Sequence, residues 1–347
     1  MLGKTIAIKN SIICLGYFLL SYPLFYFSYK FCLRDFGGQD FYSYYSLYKD
    51  WDFEPVMCPH NMRIISSFCI FLMYEIGFHY DTEIVFTKFY PYFDQQVFFN
   101  AIFFNYICVV LTCIVIYRLV LRNSDNKLYS FLAGCVYLLG FGTLFFSLKP
   151  TTESCGILLL SIAFYCYIKR SYWIYMVLCA SLFQREYIFI VFGVISLIDF
   201  YFQRVKYCLG ILTVSILLFV LFVILRKTFF YTPHFEYQTS LKTLFYSVLN
   251  LSTEWAPFLR QSILLSNLLF LYLLIVIYKW VHNISINNNY FVNVILLVIQ
   301  VMIMCIMIQG ENNAGRIFYY TTPVLIFYLF IELKSLLSPY IYFKSNV

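Results

Sequence analysis

Stretches without a single charged residue alternate with short polar segments along the whole chain. A helix needs roughly 20 apolar residues to cross the hydrocarbon of a bilayer. Charge-free runs of about that length cover residues 11–29, 95–117, 128–148, 207–225, 261–278 and 290–309. Shorter ones cover 154–168, 171–184, 187–198 and 317–331. These too can span, because flanking Lys and Arg snorkel to the interface and a bilayer thins locally. One further run, 64–74, is shorter still. The pattern predicts an all-α, polytopic membrane bundle of about ten spans, forming one domain over 1–347. Residues 64–74 are expected to form a half-inserted or interfacial helix.

Basic residues near span ends favour the cytoplasm. Lys4 and Lys9 precede the first run, which lacks a small-residue cleavage site and reads as an uncleaved first span. If 64–74 crossed the membrane, the cluster Arg118, Arg122 and Lys127 would fall outside. If it lies on the outer surface, then that cluster, Lys169/Arg170, Arg204/Lys206, Lys279 and Lys334/Lys344 all fall inside. Only Asp125, Asp199 and Glu332 then face inward, leaving 14 of the 17 acidic residues outside. Both termini become cytoplasmic. Two large extracytoplasmic loops follow, 30–94 and 226–260.

Composition narrows the class. The 347 residues are 62% hydrophobic and only 12% charged, whereas a soluble domain carries about a quarter charged residues. Soluble enzymes and disulfide-stapled secreted domains are excluded. The net charge of +7 is scattered between apolar runs, so no nucleic acid is an expected partner; the lipid bilayer is. Most of the 12 cysteines sit in apolar runs, where Cys behaves as a small hydrophobe. No zinc-type spacing occurs, including around Cys58 and His60.

Charges tolerated near a membrane interface mark function more often than charges elsewhere. In the first loop, Gly37-Gly38 allows a sharp turn before Asp40, and a Tyr-rich stretch follows (Tyr42, Tyr44, Tyr45, Tyr48). Arg63 opens the half-inserted helix, where a guanidinium can fork onto a phosphate. The turn Lys149-Pro150-Thr151-Thr152-Glu153 reads equally as a helix cap, with Thr151 or Thr152 capping and Glu153 at the dipole. Gln184-Arg185-Glu186 places an Arg–Glu pair between two apolar runs. That is costly unless it faces a wet cavity. Glu311 and Arg316 form the last outer turn, where Arg316 could equally be a snorkelling anchor. The carboxylates Asp35, Asp40, Glu153, Glu186 and Glu311 therefore share the outer face with Arg63, Lys149, Arg185 and Arg316. A carboxylate can serve as general base toward a hydroxyl, and cations at headgroup level can bind a lipid phosphate.

This arrangement resembles the GT-C superfamily of membrane glycosyltransferases. The resemblance rests on GGQDFYSYY (with Asp40), NMRIISSF (with Arg63), and the turns PTTES, QREY and GRIFYYTTP. Met62 stands where bacterial members usually carry an aromatic residue. The resemblance implies a polyprenyl-phosphate-linked sugar donor and an inverting transfer of a hexosyl or pentosyl group. The acceptor would be a hydroxyl of a glycan, lipid or protein on the outer face of a bacterial inner membrane. It assigns the catalytic base to Asp40, with Asp35 as substitute. It assigns the donor phosphate to Arg63, Lys149, Arg185 and Arg316, with Glu153, Glu186 and Glu311 supporting. A divalent cation such as Mg or Mn stays open, because only some members use one. Three other expectations remain: a polysaccharide polymerase of the O-antigen type, a flippase or transporter of lipid-linked glycans, and a non-catalytic partner of a synthase.

Overall fold

A computed structural model describes residues 2–31, 38–57, 60–78, 93–140, 142–203, 205–230, 267–286, 294–295 and 319–344. Among the described residues the chain is helical and contains no strand. The elements are α1 (Leu2–Phe31), α2 (Gly38–Lys49), α3 (Ile64–Glu75), α4 (Gln95–Ser124), α5 (Lys127–Leu138), α6 (Glu153–Ile168), α7 (Trp173–Ser181), α8 (Tyr187–Gln203), α9 (Lys206–Thr228), α10 (Asn267–Val281) and α11 (Thr322–Lys344). A single 3-10 turn, His60–Met62, precedes α3, and a π-helical turn, Thr143–Ser147, follows α5.

Among the described residues, three segments are long and apolar enough to cross a membrane: Ser11–Lys30, Gln95–Ser124 and Lys206–Thr228. Shorter apolar helices occupy Lys127–Leu138, Glu153–Ile168, Tyr187–Phe202 and Leu268–Val281. The run 171–184 forms only the nine-residue α7 before the chain turns. The run 290–309 and the loop residues 231–260 lie almost entirely outside the described residues. At 12 residues, α3 rises about 18 Å, which is too short for hydrocarbon about 30 Å thick.

The central element is α4, packed against α1, α3, α5, α6 and α11. Asp94 caps it, accepting a hydrogen bond from the Gln96 amide at 2.8 Å. The same side chain accepts from the Tyr74 hydroxyl of α3 at 3.1 Å, while the Tyr45 hydroxyl of α2 receives the Asp94 amide at 3.1 Å. One cap thus ties both short helices to the start of the central one. At its other end α4 stops on Asp125, which adopts φ 56°. Asn126 then caps α5 by accepting from the Tyr129 amide at 3.0 Å.

Contacts sort the bundle into two ends. At one end the Lys334 ammonium donates to the Asn123 carbonyl at 2.6 Å, and the Tyr207 hydroxyl donates to the Ser171 carbonyl at 3.1 Å. There Lys279 of α10 pairs with Glu332 of α11 and donates to Ser335 at 3.0 Å. Arg118, Arg122, Lys127, Lys169, Arg170 and Lys206 belong to the helix termini at this end. Its described acids are Asp125, Asp199 and Glu332. The other described acids gather at the opposite end, with the start of α4, α2, α3 and the 149–153 and 184–186 turns. Among the described residues, the acids thus fall into a small set at one end and a larger set at the other. The sequence reading places Lys279 and Glu332 on the cytoplasmic side without pairing them; the fold buries both as a pair, at 1% and 2% exposure.

Breaking a buried pair leaves one uncompensated charge, while replacing both partners by apolar groups is often tolerated. Lys279→Met is expected to destabilise the detergent-solubilised protein by about 3 kcal/mol. The double variant Lys279→Met/Glu332→Leu should recover most of that loss in thermal denaturation.

Candidate functional site

At the acidic end, three segments meet beneath α2. They are the residues leading into α3, the turn before α6, and the turn between α7 and α8. The 3-10 turn ends at Met62, so Arg63 stands at the N-cap of α3 without capping it. Its side chain reaches the 184–186 turn instead. Arg63 Nη1 donates to the Gln184 carbonyl at 2.8 Å and to Glu186 Oε2 at 2.5 Å, and Nη2 donates to Glu186 Oε1 at 3.3 Å. This is a two-pronged fork, the strongest geometry available to an Arg–carboxylate pair. Arg63 is 3% exposed while the Glu186 side chain keeps 29% of its surface.

A second pair lies beside the first. Arg185 Nη2 donates to Glu153 and, at 2.7 Å, to Thr152 Oγ1. The Tyr320 hydroxyl of the segment leading into α11 donates to Glu153 Oε1 at 3.3 Å. The rings of Tyr187 and Tyr320 stack with centroids 4.5 Å apart, and the Arg185 guanidinium lies 5.8 Å from the Tyr320 centroid. Glu153 is 1% exposed. A carboxylate so buried persists only because donors surround it.

Thr152 occupies the N-cap position of α6 but makes no side-chain cap. Its hydroxyl accepts from Arg185 and donates to the Tyr44 hydroxyl of α2 at 3.2 Å. The capping alternative is thereby corrected: the hydroxyl goes to the ion-pair cluster, because a guanidinium donor and a buried phenol compete better for it than a helix terminus. Burial pushes the Tyr44 phenol above its usual range, Arg185 and Arg63 opposing, so the group remains a protonated hydroxyl. The edge of His60 meets the Tyr44 ring at 4.9 Å. Tyr44 thus seats α2 on the cluster.

Of the site residues expected from sequence, four are gathered here: Arg63, Arg185, Glu153 and Glu186. Lys149 is buried, its ammonium 4.3 Å from the Phe145 centroid and 5.5 Å from that of Phe146. Its turn is held by Asn105 of α4, which donates to the Lys149 carbonyl and, at 2.7 Å, to that of Thr151. Asp40 lies in the first turn of α2, four residues before Tyr44. Asp35, Glu311 and Arg316 lie outside the described residues. Among the described residues, no group of three or more His, Cys, Asp or Glu side chains is placed to hold a metal ion.

Sequence reasoning missed Ser66, Tyr187 and Tyr320 and gave Gln184 no part. The amide of Gln184 is completely buried, and it links all three segments. Its Oε1 accepts from the Ser66 amide at 3.0 Å; its Nε2 donates to Ser66 Oγ at 3.1 Å and to the Thr152 carbonyl at 2.9 Å. Gln184 and Ser66 are 118 residues apart, so no local pattern could pair them. The one signal available was a Gln flanking a charged pair inside an apolar context.

Two expectations follow from this geometry. Burial alone would raise the Glu186 carboxyl, but the Arg63 charge and hydrogen bonds, with Arg185 behind them, outweigh it and lower the group from 4.5 to about 2. A carboxyl that binds its proton less tightly when folded stabilises the fold above its ordinary range. That contribution is lost as the pH falls toward 2. The melting temperature should therefore decline between about pH 4.5 and 2, and Glu186→Gln should remove that part of the decline. At Gly156 an added Cβ would come within 2.6 Å of Arg185 Cγ and 3.2 Å of the Tyr187 hydroxyl. Gly156→Ala should displace the Arg185 stem and cost about 1–3 kcal/mol in thermal unfolding.

No family model matches the chain, and neither a curated protein nor a solved structure matches it.

Proposed function

We propose that this chain is a membrane glycosyltransferase of the GT-C type. It transfers a sugar from a polyprenyl-phosphate-linked donor to an acceptor hydroxyl on the extracytoplasmic side, in envelope glycan or glycolipid assembly. The bundle crosses the membrane about ten times, with α3 lying at the outer interface and both termini in the cytoplasm. The basic end faces the cytoplasm and the acidic end faces outward.

The observation that carries this reading is the convergence at the acidic end. Two arginines and two glutamates meet beneath α2, a buried lysine begins the turn that leads to Glu153, and the backbone of α2 brings Asp40 one turn from Tyr44, the residue seated on the cluster. Buried ion pairs add little net stability compared with apolar packing, so a cluster of this size at a helix-bundle end has a use beyond holding the fold. In the proposed reaction Asp40 takes the proton of the acceptor hydroxyl as that oxygen attacks the anomeric carbon. The bond from that carbon to the phosphate oxygen breaks, and the lipid phosphate leaves as an anion. Arg63 and Arg185, with Lys149 behind them, compensate the charge that develops on the phosphate. Glu186 and Glu153 keep the guanidiniums oriented while no phosphate is present. Arg316 belongs to the same phosphate set, and Asp35 is the alternative base.

The test uses full-length protein in nanodiscs with a panel of polyprenyl-phosphate sugars, following release of polyprenyl phosphate. Wild type should turn over at least one donor. Asp40→Asn should lower kcat by a factor of about 100 or more, the scale of a lost general base. Arg63→Ala should lower kcat/KM, with kcat itself reduced, because the charge it meets develops as the phosphate leaves. Full activity in Asp40→Asn would remove the base from Asp40 and favour a polymerase that relies on outer-face arginines alone.

A further inference from the structure

Gln184 sits where the three charged segments cross. Arg63 immediately precedes α3, Glu153 follows Thr152, and Arg185 and Glu186 follow Gln184 itself. Through one buried side chain and one carbonyl, Gln184 contacts the first two segments and carries the third. Its carbonyl accepts from Arg63, its Oε1 from the Ser66 amide, and its Nε2 donates to Ser66 Oγ and to the Thr152 carbonyl. The Phe183 carbonyl adds a backbone bond from the Ile65 amide at 3.3 Å. The side-chain amide must accept one bond and donate two at once. A glutamate of the same shape supplies no donors when ionised, and a methionine of similar volume supplies neither donor nor strong acceptor.

We propose that Gln184 is the positioning residue of this site: it holds Arg63 against Glu186 and Arg185 against Glu153, and so sets how the two guanidiniums meet an anionic ligand. The identity of that ligand as a lipid phosphate rests on the function proposed above; the coupling of Gln184 to the two ion pairs does not. Nothing in the amide's chemistry makes it reactive. Its effect is transmitted through the two arginines, by fixing the spacing of the segments that bear them. Catalytic constellations tolerate displacements of only about 0.5 Å, and within the turn the local backbone bonds to Ser181 do not reach the other two segments, whereas the Gln184 side chain does.

The experiment uses full-length protein in nanodiscs with three variants: Gln184→Met, Gln184→Glu and Ser66→Ala. The first readout is the protonation of Glu186, followed by difference infrared spectroscopy against Glu186→Gln. The second is binding of undecaprenyl phosphate compared with undecaprenol, which shares the lipid and lacks the phosphate. In Gln184→Met the Glu186 transition should move up from about 2 toward the ordinary carboxylate range of about 4. Undecaprenyl phosphate should bind about tenfold more weakly, the scale of one hydrogen bond to a charged group, with undecaprenol binding unchanged. Gln184→Glu should weaken phosphate binding at least as much, because it adds a negative charge between the arginines. Ser66→Ala removes a single partner and should move both readouts in the same direction by a smaller step.

If Gln184→Met lowers the melting temperature but leaves both readouts at wild-type values, Gln184 is a structural amide and the proposal is overturned. If Gln184→Met does not fold, Ser66→Ala decides: unchanged readouts there overturn the proposal. If wild type fails to distinguish undecaprenyl phosphate from undecaprenol, the lipid-phosphate reading falls, and the Glu186 transition alone decides the role of Gln184.

Discussion

A guanidinium group withdrawn from water must keep its charge and must be given acceptors. Arg63 and Arg185 are both withdrawn, at 3% and 8% exposure, and much of the acidic end is arranged around their needs. Each receives a carboxylate from a different segment, so the start of α3, the start of α6 and the turn before α8 cannot move independently. Tyr320 extends the same network to α11 and Tyr44 extends it to α2. Helix–helix packing in a lipid-like environment supplies little direction by itself, because apolar surfaces exchange partners at small cost. Directional bonds between charged groups supply what packing lacks.

The two ends of the bundle solve the problem of charge differently. At the basic end most described cations lie near helix termini, and Lys334 donates to the Asn123 carbonyl at the end of α4. Lys279 and Glu332 are the buried departure, and they clamp α10 to α11. At the acidic end the charges interlock across segments distant in sequence. One end is a set of anchors and the other a network. A network can respond to a ligand, because a change at Glu186 alters the environment of Arg63, Gln184 and Ser66 together.

The helices themselves were legible because their cause is local. Apolar runs coincide with α6 and α9 to within a few residues, while α1, α4, α8 and α11 continue through charges that bound their runs, and caps such as Asp94 and Asn126 lie where the runs begin. The run 171–184 reads as one span but yields the short α7 and a turn, because the 181–185 backbone bonds to its own preceding residues to present Arg185 and Glu186. Charge at the site was legible too: Arg63, Lys149, Glu153, Arg185 and Glu186 stand out as charges surrounded by apolar sequence. Thr152 misleads, because its position resembles a helix cap while its hydroxyl serves the network.

Sequence by itself determined that this chain has the composition of a lipid-embedded bundle, roughly where most of its longer described helices lie, and which charges stay near their ends. Those properties follow from hydropathy and helix geometry, which act over one or two dozen neighbouring residues. Tertiary structure alone decided the pairing: Arg63 with Glu186, Arg185 with Glu153, Lys279 with Glu332, and Gln184 between Ser66 and Thr152. The physical reason is range. An ion pair or a buried amide selects its partner by distance in space, and the fold brings together residues that the chain separates by dozens of positions or more.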